Sequence, residues 1–547
     1  MKAPDLCLCA PDLWRSNEFG SALPMQVRGY LFNKAMVRNQ VARIGSLTEK
    51  SFGDLVQSID GHFALVSISD ETAFVAVDRV RSIPMFYAWD GHRWVISDNA
   101  NALIDRFKWG NEDRNPDAAR ALAMSGYTIG SDTLYQPLKT LTPGQAVILK
   151  PDGQDHIIQY NRYSAWDVVE VSQEDALETL TRTTLSILEK LARSVDGRPI
   201  FVPLSAGLDS RLIVSGLRHL GVENVKCFSY GIPGNHEAQA GEKISRDLGY
   251  SWRFVPYTIP KMRAFFASED HANYLQHADT GTNVPFEQDL PAIRALEEQG
   301  YLSKDGVIVN GNSGDFISGG HIPKVFGHLA PDATKDQNLD LVIQSQIQKH
   351  YRLWEDLDQD GFNAQIRTRL QDQAQGLPLE TRGLHGVYEF LELVNRQSKY
   401  VISGQRIYDY AGYDWRLPLW DTEYLNFWQG MPYRFKANQS LYKAMLLKNN
   451  WGNVWGDPSY HFPQKTAPSW IRVPRFLLKV AHAPVGAKQW HKFEKRYLTY
   501  WMEPLQAQAV VPYSTVAKDR RGARHMVSWH TEKYLNKKGL SWRGEIQ

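Results

Sequence analysis

From Arg198 onward the sequence repeats one unit: a short apolar run, a turn of small residues, then a helical stripe. PIFVPL (199–204) has the length of a buried strand, and SRLIVSGLRHLG (210–221) sets Leu212, Ile213, Leu217 and Leu220 on one helical face. VKCFSYG (225–231) is the next strand. HEAQAGEKISRDLG (236–249) follows with Ala240, Ile244 and Leu248 one turn apart, and RFVPYT (253–258) and GVIVNG (306–311) continue the pattern. Such alternation predicts a parallel sheet with helices on its faces. Ligands of open α/β sheets bind beyond the carboxyl ends of the strands, which points to the turns after Leu204, Tyr230 and Val309.

The segments on either side read differently. The first ~165 residues carry runs rich in β-branched and aromatic residues, among them 61–70, 72–80, 84–98 and 145–160. Asp90-Gly91 and Asp152-Gly153 suit tight hairpin turns, so an antiparallel β unit is predicted. Between 172 and 195 the period becomes helical, with Leu177, Leu180, Thr184, Ile187, Leu188 and Leu191 along one side. Beyond ~340 the chain reads as helical, for example over 387–408. Pro458, Pro463, Pro468 and Pro474 then suggest a linker into a basic tail. The predicted units are 1–165, 170–457 and 458–547.

Composition narrows the class. At 547 residues, 43% hydrophobic and 22% charged, the chain can bury a core without staples and is not of the disordered type. Three cysteines, Cys7, Cys9 and Cys227, fit a reducing compartment, so a cytoplasmic location is expected. No run approaches the ~18 apolar residues of a membrane helix. The opening MKAPDLCLCAPDLWRS has Asp5 and two prolines where a signal peptide has its apolar core, so a secreted protein is not expected. The net charge of +2 is unevenly spread: residues 460–547 hold sixteen Lys/Arg against five Asp/Glu, a local +11, which leaves −9 for the rest. A basic, aromatic tail can face nucleic acid or acidic lipid. It can equally be a helical extension whose cations stay wet, and that reading is adopted here. Nucleic acid is not an expected partner, whereas membrane-surface contact by the tail is left open.

Ser205-Ala206-Gly207-Leu208-Asp209-Ser210 lies between a predicted strand and a predicted helix. Small residues let backbone approach a ligand closely, and a helix N-terminus offers unpaired N–H groups to phosphate oxygens. Asp209 beside phosphates makes sense when Mg²⁺ bridges them. The lysine and spacing of a Walker A loop are missing. Without further context the same residues would also serve as an ordinary Asp-Ser helix cap.

Four segments, in order, supply that context. LSAGLDS (204–210) resembles the pyrophosphate loop, usually SGGLDS, of the asparagine synthetase family of ATP pyrophosphatases. Asn310-Gly311-Asn312-Ser313-Gly314-Asp315, running on to Gly319-Gly320-His321, is similar to its SGEGSDE…GGY stretch. Trp415–Asp421 resembles ARVPFLD, and Tyr442–Leu446 falls where the family has the lysine of KyiLR. In the N-terminal unit Gly61–Ala64, Asp78-Arg79, Ile83–Tyr87 and Leu141–Gly144 look like GmFAf, RD, iPLYY and LpPG.

The resemblance implies an α/β and β architecture: a class II glutaminase-like antiparallel β domain, a parallel-sheet ATP-pyrophosphatase domain and a basic helical tail. It implies an ATP-dependent carbon–nitrogen ligase that adenylates a carboxylate, passes it to an amine or ammonia, and releases AMP and pyrophosphate. Carried over residue by residue, Ser205, Gly207, Asp209 and Ser210 would hold pyrophosphate, and Asp209 with Asp315 would hold Mg²⁺. Lys443 would neutralise charge in catalysis, and Leu204, Tyr230 and Gly311 would contact adenine. Three departures stand out. Ala206 replaces a glycine. Asn312 replaces a glutamate thought to handle the amine proton, and an amide cannot act as a base. Glu389 and Glu392 are candidate substitutes, or plain surface helix residues. Third, residue 2 is Lys rather than the nucleophilic Cys of a glutaminase, and Arg28 stands in place of an oxyanion-hole asparagine, so glutamine hydrolysis is not expected. The rival readings are an intramolecular amide-forming cyclase, as in β-lactam synthetases and lasso-peptide cyclases, and a nucleotide-binding scaffold without turnover. Adenylation of RNA is a more distant one. Substrate identity and oligomeric state are not legible.

Overall fold

The computed structural model describes the chain except for residues 1–2, 17, 21–22, 356–358, 464–468, 503–510, 541 and 543–547. Its described strands form three sheets. The first has six antiparallel strands in the order Asp155–Gln159, Gln145–Leu149, Thr72–Val77, Gly61–Ser69, Met25–Leu31, Trp14–Ser16. Both Asp-Gly turns lie between antiparallel neighbours, with Gly91 and Gly153 at positive φ. One face of this sheet packs Val27, Phe63, Leu65 and Phe74 against Phe52, Leu55 and Val56 of the helix Glu49–Ser58. From the other face Val66, Val75 and Val77 share a core with Met85, Tyr87, Trp94 and Ile96 of a second sheet. That sheet is ordered Asp5–Leu6, Trp94–Ser97, Phe86–Trp89, Lys139–Thr140. Its edge pair Asp5–Leu6 with Trp94–Ser97 is parallel, which the antiparallel expectation did not include.

The third sheet is parallel throughout, in the order Ser251–Pro256, Val225–Gly231, Ile200–Pro203, Val307–Val309, Asp414–Arg416. Chain order therefore reverses between Ile200–Pro203 and Val307–Val309. That reversal opens a crevice at the carboxyl ends of these two strands. The fifth strand was not read as one in the sequence: it has three residues, charged at both ends, and only Trp415 offers apolar burial.

The helix Gln173–Val195 is capped by the Ser172 hydroxyl, which accepts from the Asp175 amide, and buries Leu180, Thr184, Ile187, Leu188 and Leu191. The stretch 387–408 is not one regular helix. An α segment Leu384–Glu392 continues as a π-helical segment Leu393–Val401, a 3₁₀ turn Ile402–Gln405 and the helix Arg406–Ala411. Wide π turns of this kind recur at functional sites.

The basic tail is helical where described. Met526–Lys537 packs on the helix Pro116–Ser125, and Lys538 pairs with Asp279. Arg521 lies 4.0 Å over the Trp354 ring and binds Asp519 and Glu532, so part of the excess charge is structural. Pro474 sits inside the helix Ser469–Ala481 rather than in a linker, and Pro458 opens a 3₁₀ turn. Pro468 lies outside the described residues.

Candidate functional site

The strand Ile200–Pro203 ends in the turn of small residues, and the helix Leu208–His219 starts at once, with Gly207 as N-cap and no side chain capping it. Ser205 and Ser210 brace the turn instead: the Ser205 amide donates to the Ser210 hydroxyl at 3.1 Å, and the Gly207 amide to the Ser205 hydroxyl at 3.1 Å. Ala206 is not at positive φ, so the departure from glycine there introduces no backbone strain.

Opposite lies the loop after Val307–Val309. Gly311 approaches the first helical turn so closely that a Cβ would stand 2.8 Å from the Ser210 nitrogen, and one on Gly314 would overlap the Asp209 carboxylate. Both glycines are required by this close approach. Ser313 holds φ +82, a left-handed conformation uncommon for a residue with a side chain, and donates to Gln397 of the π segment at 2.9 Å.

Asp209 is the electrostatic centre. Its carboxylate accepts from the Asp315 amide at 3.0 Å and the Tyr442 hydroxyl at 3.0 Å. Burial, with Asp315 adding like charge, pushes it up to about 7. The Asp315 side chain is exposed, and His321 Nε2, 3.0 Å away, helps hold its pKa below the usual range. The other ring nitrogen of His321 contacts Glu392, whose second oxygen is 3.0 Å from His350. Burial alone would favour the neutral ring, yet Glu392 and Asp315 raise His321 to about 9. Glu389 and Glu392 are not surface residues: both are fully buried. Glu389 is clamped by Lys436 at 2.7 and 2.9 Å, with burial holding its pKa up at about 7.

The two loops, with Asp209, Asp315 and His321, line a cleft of about 420 Å³. Leu204, Ser205, Gly207, Asp209, Ser210, Tyr230, Gly311 and Asp315, all singled out in the sequence, line it together. Lys443 is not in the lining; it is exposed and donates to the Asn438 carbonyl at 2.8 Å, next to Tyr442. Sequence reasoning missed Asp289, which accepts from the Tyr230 and Tyr408 hydroxyls, and Arg396 on the π segment. Neither belongs to a motif, since distant segments bring them in. A second, mainly apolar cavity of about 280 Å³ shares Tyr230, Glu237, Phe286 and Gln288 with the cleft and reaches Val527 and His530 of the tail.

Residues 187–448 match the family described as asparagine synthase. Over that segment, just under half of its length, the chain is similar to the asparagine synthase family. Enzymes of the asparagine synthase family are ATP-dependent ligases. Two solved structures bear a faint likeness to the chain. The glutamine phosphoribosylpyrophosphate amidotransferase of B. subtilis, complexed with ADP and GMP, is 13% identical over 43% of this chain and 71% of its own, with a TM-score of 0.19. The second, described as the allosteric regulatory enzyme of purine biosynthesis, is 12% identical over 43% of this chain and 60% of its own, also at 0.19. No curated protein matches the chain.

In the N-terminal region Arg28 is buried between Asp98 at 2.8 Å and Asp409 at 2.7 Å, so it ties the β unit to the helix Arg406–Ala411. Burial and the neighbouring Asp98 raise the Cys9 thiol pKa, the opposite of what a nucleophilic thiolate needs. Among the described residues no helix is long and apolar enough to cross a membrane.

Proposed function

We propose that the protein is an ATP-dependent amide ligase that activates a substrate carboxylate as its adenylate. The observation that carries this reading is the uncapped helix N-terminus at Gly207 beside two carboxylates, Asp209 and Asp315, with Asp209 raised by burial and, after it, by the like charge of Asp315. Two carboxylates completed by phosphate oxygens and water are an ordinary donor set for Mg²⁺, so Asp209 and Asp315 fit as its holders. Bound with ATP, the metal would neutralise charge on the departing pyrophosphate.

The chain's own groups then divide the work. The N–H groups at the start of Leu208–His219, with the Ser205 and Ser210 hydroxyls, would take pyrophosphate oxygens where charge develops. Leu204, Tyr230 and Gly311 would border the adenine. A carboxylate oxygen attacks the α-phosphorus and pyrophosphate leaves; an amine or ammonia then attacks the acyl carbon, AMP leaves and the amine proton is lost. Lys443, one residue from Tyr442, would swing from the Asn438 carbonyl to neutralise charge in both steps. The adjoining apolar cavity favours a substrate with an apolar body over aspartate. It also keeps the intramolecular, cyclase-like closure as the second reading.

The reading includes a three-part division at about 165 and 457 and a glutaminase-like β domain retained as a scaffold. Arg28 and the raised Cys9 thiol support the absence of glutamine hydrolysis. The test is AMP and pyrophosphate formation by the purified protein with Mg·ATP, a carboxylate panel that includes aspartate, and either ammonium or glutamine. Asp315→Ala serves as the control. Carboxylate-dependent AMP lost in the variant is expected. AMP formation that survives Asp315→Ala, or equal rates with glutamine, would contradict the corresponding part.

A further inference from the structure

We propose that the helix Ser469–Ala481 docks the protein onto an anionic lipid surface. The helix lies outside the asparagine synthase segment, and the ligase chemistry makes no use of it. It has two apolar faces. Ile471 is buried and Leu478 half-buried against Trp490, Phe493 and Leu498, and Arg475 is tied to Glu494, so this side packs on the helix Ala487–Tyr497. The other side carries Trp470, Val473, Phe476, Leu477 and Val480, which are 61%, 67%, 65%, 61% and 56% exposed, with the Trp470 ring also meeting Trp501 edge-on at its end of the stripe. At about 100° per residue these five fall within an arc of roughly 120°, on the side opposite Ile471 and Leu478.

Among the described residues the other exposed large apolar side chains are spread singly along the chain, whereas here five share one helix. A stripe of this kind marks an interaction surface. Its surroundings select the occupant. Between Trp470 and Met502 the sequence has seven Lys/Arg and one acidic residue, Glu494, and that acid is already engaged by Arg475. Arg472 and Lys479 are exposed along one border of the stripe, and Lys488 and Lys492 are exposed on the following helix. An apolar stripe edged by cations, on a helix too short and too charged to span, matches a helix lying in the plane of an anionic bilayer surface. An acid-free apolar face on a convex helix matches a continuous lipid surface better than the closed pocket of a protein partner.

The experiment is flotation of the full-length protein with vesicles of phosphatidylcholine alone or with about a quarter phosphatidylglycerol. The variant Val473→Ser/Phe476→Ser/Leu477→Ser changes only exposed positions, and its thermal unfolding checks that the fold is kept. Wild type is expected to float with the anionic vesicles, less with phosphatidylcholine alone and less in high salt. The triple variant should lose binding about tenfold or more, and Arg472→Gln/Lys479→Gln by a smaller factor. No flotation of wild type overturns the proposal, as does flotation unchanged in the triple variant or indifferent to lipid charge. Concentration-dependent self-association that the triple variant abolishes, without lipid binding, would also overturn it by assigning the stripe to a second copy of the chain.

Discussion

Two clefts of similar size differ in how their buried charges are matched. The one between the antiparallel sheet and the edge strand Asp414–Arg416, about 450 Å³, is lined by Arg28, Tyr30, Asp409 and Arg416, and the buried Arg28 guanidinium has a carboxylate on either side. The one at the reversal of the parallel sheet sets carboxylate near carboxylate, with Asp209 pushed up to about 7. A guanidinium matched by two carboxylates is a structural tie. A cleft in which Asp315 has His321 but Asp209 has only neutral donors awaits a cationic ligand, which is why chemistry is assigned to the second and scaffolding to the first.

The largest expected effect separates the clefts by stability. Arg28→Met leaves Asp98 and Asp409 buried without their cation, and loss of one partner of a buried pair typically costs about 3–5 kcal/mol. Chemical denaturation should read that loss, while AMP formation by the folded fraction stays within a few-fold of wild type. Comparable inactivation of the folded protein would erase the distinction.

Asp209→Asn is the mirror image. AMP formation should fall about 10²-fold or more. Stability should move the other way with pH. The Asp209 pKa is raised in the folded state, so the folded chain keeps a proton that the unfolded chain has lost. Wild-type stability therefore declines as pH rises from the ordinary carboxylate range toward about 7 and stays low above it. Without Mg²⁺ the variant should melt a few degrees above wild type near pH 8 and level with it near pH 4. A lower melting temperature near pH 8 would show that Asp209 is a structural acceptor for Tyr442 and the Asp315 amide.

The Lys436–Glu389 pair tests whether the buried carboxylates near the cleft belong to the scaffold. Lys436→Met alone should destabilise by about 3 kcal/mol, and adding Glu389→Leu should recover most of that in a double-mutant cycle. Recovery of stability with loss of AMP formation would move Glu389 into the catalytic group. Gly311→Ala should act on both counts, because its new methyl would press on the Ser210 backbone nitrogen. Mg·ATP affinity should weaken about tenfold, and the melting temperature should fall as the two loops are forced apart.

Legibility followed the same divide. The strand–turn–helix period exposed the parallel sheet, and the small-residue loops located both walls of the cleft, because local chemistry and local pattern coincide there. The three-residue strand Asp414–Arg416 carries no period of its own. For Glu389 and Glu392 the sequence left candidate base and surface helix residue open, because burial of a carboxylate depends on partners far along the chain, Lys436, His321 and His350. Asp289 and Arg396 were invisible for that reason. The π segment that aims Arg396 at the cleft is indistinguishable from an ordinary helix by composition alone.

The most direct test of the account is calorimetric titration of Mg·ATP into the wild-type protein, Asp315→Ala and Arg28→Met, under conditions where all three are folded. The account predicts binding to wild type and Arg28→Met with similar affinity, and a loss of about tenfold or more in Asp315→Ala. Equal affinity in all three, or loss confined to Arg28→Met, would contradict it.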